Sequence, residues 1–421
     1  MVLTELLATE LMPAPALTGP PPARRPGPLP LLFLIADTGG GHRSAARAVT
    51  EALDRQHPGR FAPVLCDPLG GPGSAWPLRV VTGWYGPLIR RAPWLWGAAY
   101  HACDSRAAMW LLARTLLRPV SSPVMAAARE HRPPLVVSFH PLTGPAAIAA
   151  RDRLVPGAPV VTVVTDLARM HASWRSPHPD VLVAPDPVMT DSRPRRRRVG
   201  PALAGWPLVS ERFSGGPASR AERDRLRRSL GLPGQGLLIL LVGGGEGSGG
   251  LGRRARAIRR RFPDAGVVVA CGRNRRLRRR LARPAARSSG RLRVTGYTAR
   301  LPALLRCCDL VVTKAGPGTI AEAACCGTPM LLSSRLPGQE AGNIELVTAA
   351  GAGRRARSVR RLLAEIGALR RDPGRLDAMR AASARLARPG AAGEIAELIA
   401  RLSGVSTSEN SKKRPTPHVS P

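Results

Sequence analysis

The sequence predicts an α/β protein with two facing Rossmann-like domains, a cleft between the domains and a C-terminal helical region. Three observations lead to this prediction. Short apolar segments recur along the chain, helix-like segments lie between them, and glycine-rich turns follow the first apolar segment of each half. Because ligands of open parallel sheets bind at the carboxyl ends of the strands, we expect the glycine-rich turns to border a shared site.

Charge is the most unusual feature of the composition. The chain has 421 residues, enough for two or three domains, and a formal net charge of +36. Only three residues are lysines, so nearly all the positive charge is arginine. A codon bias toward G and C in this glycine- and proline-rich chain would explain the charge without any function. A charge of this size also favours anionic partners such as lipid headgroups, nucleic acid or phosphorylated sugars.

The chain ends and the cysteines bear on the cellular compartment. Residues 1–28 form a proline-rich leader and 403–421 a polar tail, and we expect both to be disordered. The leader lacks the pattern of a signal peptide, and no segment reaches the roughly 20 apolar residues of a membrane span. The seven cysteines show no zinc-binding spacing. We therefore predict a cytoplasmic protein, bound at most to the surface of a membrane.

The first domain, residues 29–205, opens with strand, glycine turn and helix. Pro30 to Ala36 is a fully apolar strand, and Ser44 to Leu53 has helical spacing. The turn between them carries three glycines and then His42. A histidine at a helix N-terminus tends to stay neutral, so it can act as a base. Gly41 and His42 are therefore candidate site residues.

Polar residues follow later strands of this domain. Further strands are predicted at Val64–Cys66, Leu135–Phe139, Val160–Thr165 and Val181–Pro185. His140 and Asp166 directly follow two of them, and His171 lies in the next loop. If the sheet is parallel, these three residues converge with His42. The alternative is that Asp166 caps a turn and His140 only precedes a proline.

Residues 74–118 combine aromatic and basic side chains. Five of the seven tryptophans lie here with arginines between them, and Pro77, Pro87 and Pro93 are expected to break the segment into short pieces. Tryptophan mixed with arginine suits the interface between water and lipid. Ordinary packing of the aromatic rings explains the pattern equally well, and nucleic-acid binding is the least favoured alternative.

The second domain, residues 206–402, begins with a long glycine run. Leu237 to Val242 is an apolar strand, and the run Gly243–Gly250 follows it. Backbone amides without side chains can approach a diphosphate closely, which makes Gly244, Gly245 and Glu246 candidate site residues. The run matches neither the Walker A motif nor the dinucleotide-binding fingerprint.

A second glycine turn, at Lys314–Thr319, organises the rest of this domain. It follows the strand residues Val311–Thr313 and precedes a helix whose amino end suits a phosphate or a sugar hydroxyl. Gly316 and Gly318 allow a ligand to approach the backbone, and Glu322 lies one turn into the helix. Gln339, Glu340 and Asn343 cluster after the neighbouring strand Met330–Leu332. Although most such units bind nothing, this polar cluster indicates a polyhydroxylated ligand.

These segments resemble a known family. DTGGGHRSAARAV, SFHPLTG, TVVTDLARMHASW, VGGGEGSG and TKAGPGTIAEAACCGTPMLL with PGQEAGN are similar to segments of monogalactosyldiacylglycerol synthases and processive diacylglycerol glucosyltransferases. The resemblance covers about residues 30–355 and is weakest at 74–118. It extends, more distantly, to the UDP-N-acetylglucosamine transferase of peptidoglycan synthesis. The family has the two-domain GT-B fold.

The resemblance implies roles for individual residues. The first domain would bind a lipid acceptor, with His42 as the base or as support for the base. The second would bind a UDP-sugar, with Tyr297 near the uracil and Glu322 on the ribose. Further donor-side candidates are Gly244, Gly245 and Glu246 at the first glycine turn, Lys314, Gly316, Gly318 and Thr319 at the second, and Gln339, Glu340 and Asn343 for the hexose and phosphates.

The expected reaction is direct displacement of UDP by the diacylglycerol hydroxyl, which inverts the anomeric carbon. The hexose would be galactose or glucose. No Asp-x-Asp motif occurs, so neither a metal nor another cofactor is expected. The expected partners are UDP-hexose, diacylglycerol and the anionic inner face of the cell membrane, without specific nucleic acid. A polyprenyl-linked or soluble acceptor, a UDP-sugar 2-epimerase of the same architecture, and a non-enzymatic basic binding protein remain alternatives.

Overall fold

A computed structural model describes residues 27–37, 40–175, 177–185, 202–205 and 208–405. For 202–205 it describes the backbone alone, and the side chains of Pro77, Val81 and Arg90 are outside the description. Four further parts of the sequence lie outside the described residues. They are most of the predicted leader, the arginine run at 193–198, Trp206 at the junction of the domains, and residues 406–421 of the predicted tail.

The first lobe is a six-stranded sheet in which every described pairing is parallel. Its strands lie in the spatial order β2-β1-β3-β4-β5-β6, so successive strands are added on one side of β1 and then on the other, with the switch point between β1 and β3. The strands are β1 (Leu29–Leu34), β2 (Phe61–Cys66), β3 (Val136–Ser138), β4 (Val160–Val163), β5 (Val181–Pro185) and β6 (Ala202–Gly205). The strand β6 was not predicted from the sequence.

Helices cover this sheet and also form the tryptophan-rich segment. They are α1 (Gly41–Gln56), α2 (Trp76–Arg91), α3 (Pro93–Ala102), α4 (Arg106–Arg114), α5 (Ser121–His131) and α6 (Gly144–Leu154). The expected break at Pro87 is wrong, because α2 continues through it. Pro77 and Pro93 lie in the first turns of α2 and α3, where the missing N–H has no helical partner to lose.

The second lobe is a six-stranded parallel sheet in the order β12-β11-β10-β7-β8-β9, which is the doubly wound Rossmann order. Its strands are β7 (Leu238–Val242), β8 (Gly266–Ala270), β9 (Leu292–Thr295), β10 (Leu310–Lys314), β11 (Met330–Ser334) and β12 (Gly353–Arg355). Its helices are α7 (Arg220–Ser229), α8 (Leu251–Arg261), α9 (Arg275–Ala286), α10 (Leu301–Cys307), α11 (Pro317–Cys325), α12 (Ala341–Ala349), α13 (Val359–Arg371), α14 (Pro373–Arg385) and α15 (Ala391–Leu402). The α/β architecture confirms the predicted fold class.

The last helix crosses from the second lobe to the first. The sequence predicts α15 as part of the second domain, but the helix packs along α1 of the first lobe. Its buried residues include Ile395 and Ile399, which belong to the same hydrophobic cluster as Phe33 and Leu240. In the described ranges, no helix is both long and apolar enough to cross a membrane.

Candidate active site

His42 lies in the first turn of α1, at the carboxyl edge of the first sheet. Its Nδ1 is 2.7 Å from the carbonyl oxygen of Phe139 and 3.0 Å from Oγ1 of Thr165. Because the carbonyl can only accept, Nδ1 carries the proton and Nε2 keeps its lone pair. Burial lowers the pKa of His42 to about 4, and the hydrogen bond to Phe139 acts in the opposite direction. The ring is therefore neutral at physiological pH and can accept a proton at Nε2.

His140 contacts His42 edge to face, with ring centroids 4.5 Å apart. It is buried, and its Nδ1 accepts a hydrogen bond from the Leu142 backbone N–H at 3.2 Å. Burial, together with the neighbouring His42, holds the pKa of His140 well below its ordinary value. The structure therefore brings two neutral imidazoles together at the ends of β1 and β3.

Asp166 is buried where the two lobes meet. One carboxylate oxygen accepts from Nε1 of Trp174 at 2.7 Å, and the other accepts from Nε2 of Gln339 at 2.9 Å. Gln339 belongs to the second lobe, so this side chain connects a predicted acceptor-side residue to a predicted donor-side residue. Burial raises the pKa of Asp166, while the two hydrogen bonds lower it.

His171 differs from the other predicted acceptor-side residues. Its Nδ1 is 2.7 Å from Oγ of Ser173, and its Nε2 is 3.0 Å from the carbonyl oxygen of Tyr100. Both ring nitrogens are thus engaged within the protein. The arrangement ties α3 to the loop after β4 and leaves no ring nitrogen for a ligand.

The first glycine turn is built on left-handed backbone. Gly244 has φ 67° and Gly250 has φ 64°, a conformation that suits glycine. A Cβ at Gly244 would lie 3.3 Å from Cε of Lys314, so the two glycine turns are in contact. The Gly245 carbonyl accepts from the Arg273 backbone N–H at 2.7 Å, which leaves the Gly245 amide as the group that can meet a ligand.

Glu246 and Arg273 extend this turn toward the first lobe. Arg273 Nε donates to Glu246 at 3.0 Å, and the same guanidinium lies 3.6 Å from a carboxylate oxygen of Asp37. Asp37 belongs to the loop that leads to His42. The predicted donor-side Glu246 is therefore held in an ion pair that reaches across the cleft. Tyr297, after β9, is 71% exposed and stands open to solvent.

The second glycine turn presents the amino end of α11. Gly316 precedes the helix, Thr319 is buried in its first turn, and a Cβ at Gly318 would meet no atom within 4 Å. Lys314 forms an ion pair with the buried Glu340. The second oxygen of Glu340 accepts from the Leu336 backbone N–H at 2.7 Å. Glu340 therefore fixes the Lys314 ammonium beside the turn.

Glu322 and Asn343 retain unused hydrogen-bonding capacity. Burial raises the pKa of Glu322 to about 8, and the positive charge of Arg212 acts in the opposite direction. Asn343 is fully buried and donates through Nδ2 to the Ala315 carbonyl at 2.8 Å. Its Oδ1 has no hydrogen-bond partner among the described residues. Both side chains could accept hydrogen bonds from sugar hydroxyls.

A cavity of about 530 Å³ lies between the lobes. Ile89 and Pro93 form its first-lobe wall, and Lys314, Glu340 and the glycine run form the opposite wall. Four arginines that no sequence motif singles out also line it: Arg253, Arg256, Arg280 and Arg335. The lining is strongly cationic, which suits an anionic ligand. Nothing in the arginine-rich helices indicates from sequence alone which arginines face inward.

Two parallel sheets whose glycine turns border one cleft define the GT-B class of fold. MurG from Acinetobacter baumannii has this fold, with a TM-score of 0.55 and 18% identity over 89% of this chain and 100% of that chain. The S. aureus MnaA–UDP structure reaches a TM-score of 0.57 at 12% identity, over 91% of this chain and 99% of that chain. These similarities support the fold alone.

Sequence comparison identifies the family. The monogalactosyldiacylglycerol (MGDG) synthase family profile matches residues 42–195, and the glycosyltransferase family 28 C-terminal domain profile matches 238–397. Probable monogalactosyldiacylglycerol synthase 2 of Oryza sativa subsp. japonica is 34% identical over 340 residues, 77% of this chain and 70% of that protein. Monogalactosyldiacylglycerol synthase 3 of Arabidopsis thaliana is 30% identical, with the same two shares covered. The chain belongs to the monogalactosyldiacylglycerol synthase family and is a glycosyltransferase.

Proposed function

We propose that this protein transfers a hexose, galactose or glucose, from a UDP-sugar to the hydroxyl of diacylglycerol or a similar lipid. Membership of the family supports the reaction class. The observation that carries the proposal is the state of His42. Its Nδ1 proton is held by the Phe139 carbonyl, which leaves Nε2 as the ring nitrogen that can accept a proton.

The reaction is a single displacement. His42 Nε2 takes the proton of the acceptor hydroxyl while the hydroxyl oxygen attacks the anomeric carbon. The bond from that carbon to the diphosphate breaks, UDP departs, and an α-linked donor gives a β-glycoside. A positioned base contributes about 10²–10⁴-fold to such a step. Since His140 is also neutral, the pair adds no positive charge that would oppose protonation of His42.

The leaving diphosphate is stabilised without a metal ion. In this assignment the amides of Gly244 and Gly245 and the positive amino end of α11 stabilise the diphosphate. The Lys314 ammonium, fixed by Glu340, adds a full charge. In this assignment Glu322 accepts from the ribose hydroxyls and the free Oδ1 of Asn343 accepts from the hexose. Tyr297 covers the uracil.

The tryptophan-rich helices supply the contact with the membrane, where the protein acts as a peripheral enzyme on the cytoplasmic face. Four tryptophans are largely exposed: Trp76, Trp84, Trp94 and Trp110, at 77%, 65%, 69% and 57%. The Arg114 guanidinium stacks over the Trp110 ring at 3.9 Å. Such a face suits the lipid–water interface better than water. Because Ile89 and Pro93 of the same helices line the cavity, a lipid acceptor can reach the site from this face.

The decisive experiment incubates the purified protein with diacylglycerol liposomes and a panel of UDP-sugars, and identifies the lipid products by mass. We expect one hexose added per UDP released, and no product with His42→Ala. Release of UDP without a lipid product, or conversion of the sugar to its 2-epimer, would contradict the proposal. Parallel reactions with a polyprenyl phosphate and with soluble alcohols distinguish the alternative acceptors.

A further inference from the structure

The loop between β11 and α12, residues 335–340, is seated directly on the first lobe. A Cβ at Gly97 of α3 would lie 2.7 Å from the Pro337 side chain, and a Cβ at Gly338 would lie 2.6 Å from the Tyr100 ring. Glycine at these two positions lets the chains approach this closely. The hydrogen bond from Gln339 to the buried Asp166 lies beside these contacts and is itself partly buried.

Hydrogen-bond chemistry fixes the orientation of the Gln339 amide. Both groups that face Asp166 are N–H donors, and its two carboxylate oxygens accept from them. Trp174 donates through Nε1 and Gln339 through Nε2. The Gln339 Oε1 is consequently directed away from Asp166 and remains an acceptor. Sugar hydroxyls are donors that match it.

We propose that Asp166 is a positioning residue, which holds the Gln339 amide so that Oε1 accepts a hydroxyl of the donor hexose only when the lobes are in contact. This inference rests on the proposed function, because it assigns Gln339 to the donor sugar. Without Asp166, the amide is free to rotate and presents either its N–H₂ or its oxygen. Closure of the cleft and recognition of the donor are thereby coupled through one hydrogen bond.

The first test is Asp166→Asn. The new asparagine side chain at this position has one oxygen, which accepts from the Trp174 N–H. The N–H₂ group of the asparagine therefore faces Gln339. The Gln339 amide then turns its oxygen to that group and its donors to the sugar. We expect the KM for UDP-hexose to rise by about tenfold or more, with kcat changed much less. The matched control is Trp174→Phe, which removes the other donor and should change the donor KM by less than about twofold.

The second test exchanges the two groups. In Asp166→Asn/Gln339→Glu the asparagine of the first lobe donates and the glutamate of the second lobe accepts. The hydrogen bond between the lobes is restored, and the net charge equals that of the wild type. The second carboxylate oxygen again presents an acceptor to the sugar. We expect the donor KM to return to within about threefold of wild type. The single change Gln339→Glu, which places two carboxylates together, should weaken donor binding.

The outcomes are separable. An unchanged donor KM in Asp166→Asn, even with a lowered Tm, would reduce Asp166 to a structural residue and overturn the inference. A double variant no better than its worse single parent would do the same. Calorimetric titration with UDP-hexose in the absence of any acceptor measures donor affinity directly. Those titrations therefore decide the inference even if lipid transfer, and with it the proposed acceptor, fails.

Discussion

At the scale of single residues, the pKa of His42 makes a direct prediction about the acid limit of activity. Burial lowers this pKa from 6.5 to about 4, and the base must be neutral to work. Activity is therefore present above the lowered pKa and is lost as the pH falls through it. At saturating UDP-hexose, where donor binding no longer limits the rate, we expect kcat to stay on its plateau below pH 6.5 and to decline toward pH 4.

Steady-state rates across this range test the assignment, provided that a Tm at each pH shows the fold intact. His131→Gln, at the end of α5, serves as the control and should leave the profile unchanged. An acid limb at or above the ordinary histidine value, or transfer retained by His42→Ala, would remove His42 as the base.

Glu322 makes a second prediction at this scale. Its pKa is raised to about 8, so the carboxyl holds a proton at neutral pH before the nucleotide binds. Two ribose hydroxyls are best accepted by the ionised form, so UDP binding should release part of a proton. Titration calorimetry in two buffers of different ionisation enthalpy measures this release. We expect Glu322→Gln to bind UDP more weakly and without proton release; equal release by both proteins would count against the ribose assignment.

Residue roles were only partly predictable from the sequence. His42 and Asp166 follow strands, and strand order alone brings them to one edge of the sheet. The engagement of both His171 nitrogens depends on α3, whose position the sequence does not reveal. The hydrogen bond between Asp166 and Gln339 joins residues 173 positions apart in different lobes, and no local pattern predicts it.

At the scale of elements, the turn before α11 makes a prediction about backbone access. A Cβ at Gly318 meets nothing in the free protein, so Gly318→Ala should leave the Tm unchanged. If a phosphate or sugar approaches this backbone, the added methyl group should weaken UDP binding by about tenfold. Gly327→Ala is the matched control, since φ is +61° and Pro217 lies 2.6 Å from the added Cβ. Gly327→Ala should lower the Tm and leave UDP affinity unchanged. A Gly318→Ala variant that lowered the Tm but bound UDP normally would contradict the proposed site.

The helices α2 to α4 make a prediction about membranes. Exposed Trp84 and Trp94 project from α2 and α3, and transfer of such rings into the interface stabilises the bound state by roughly 1–3 kcal/mol each. Trp84→Ser/Trp94→Ser should therefore reduce co-sedimentation with anionic vesicles by about tenfold or more, and a detergent-dispersed acceptor should restore transfer. Leu65→Ser, on β2 and 39% exposed, is the control. Undiminished vesicle binding by the double variant would show that this face does not contact the membrane.

Elements with apolar periodicity were predicted well, and elements without it were missed. The buried strands β1, β7 and β10 read directly as apolar runs. The edge strand β12 reads Gly-Arg-Arg and forms because β11 offers it a parallel partner. The helix α2 contains Pro87, so local rules favour a break where the fold retains a helix.

At the scale of the molecule, each lobe has a hydrophobic cluster of its own, and a third cluster contains residues of both lobes. The hydrophobic cluster that contains Phe33 of the first lobe also contains Leu240 of the second, and α15 returns to pack on α1. Family resemblance gave the two-domain architecture, but not this return of the C-terminal helix. Because apolar residues of both lobes and of α15 belong to one hydrophobic cluster, loss of packing within that cluster should affect both lobes together.

Ile399 tests this coupling. It is fully buried in α15, and Ile399→Ala should lower the free energy of unfolding by about 2–5 kcal/mol. Tryptophan fluorescence follows the first lobe, which contains Trp76 to Trp174, and thiol labelling follows the second, where five cysteines are buried. In wild type we expect the two urea transitions to coincide, and in Ile399→Ala we expect both to move to lower urea concentrations by the same amount.

Leu363→Ala, on α13 away from the first lobe, serves as a comparison that should shift both curves less. If only the fluorescence transition moved, the lobes would be folding separately and α15 would belong to the first lobe alone.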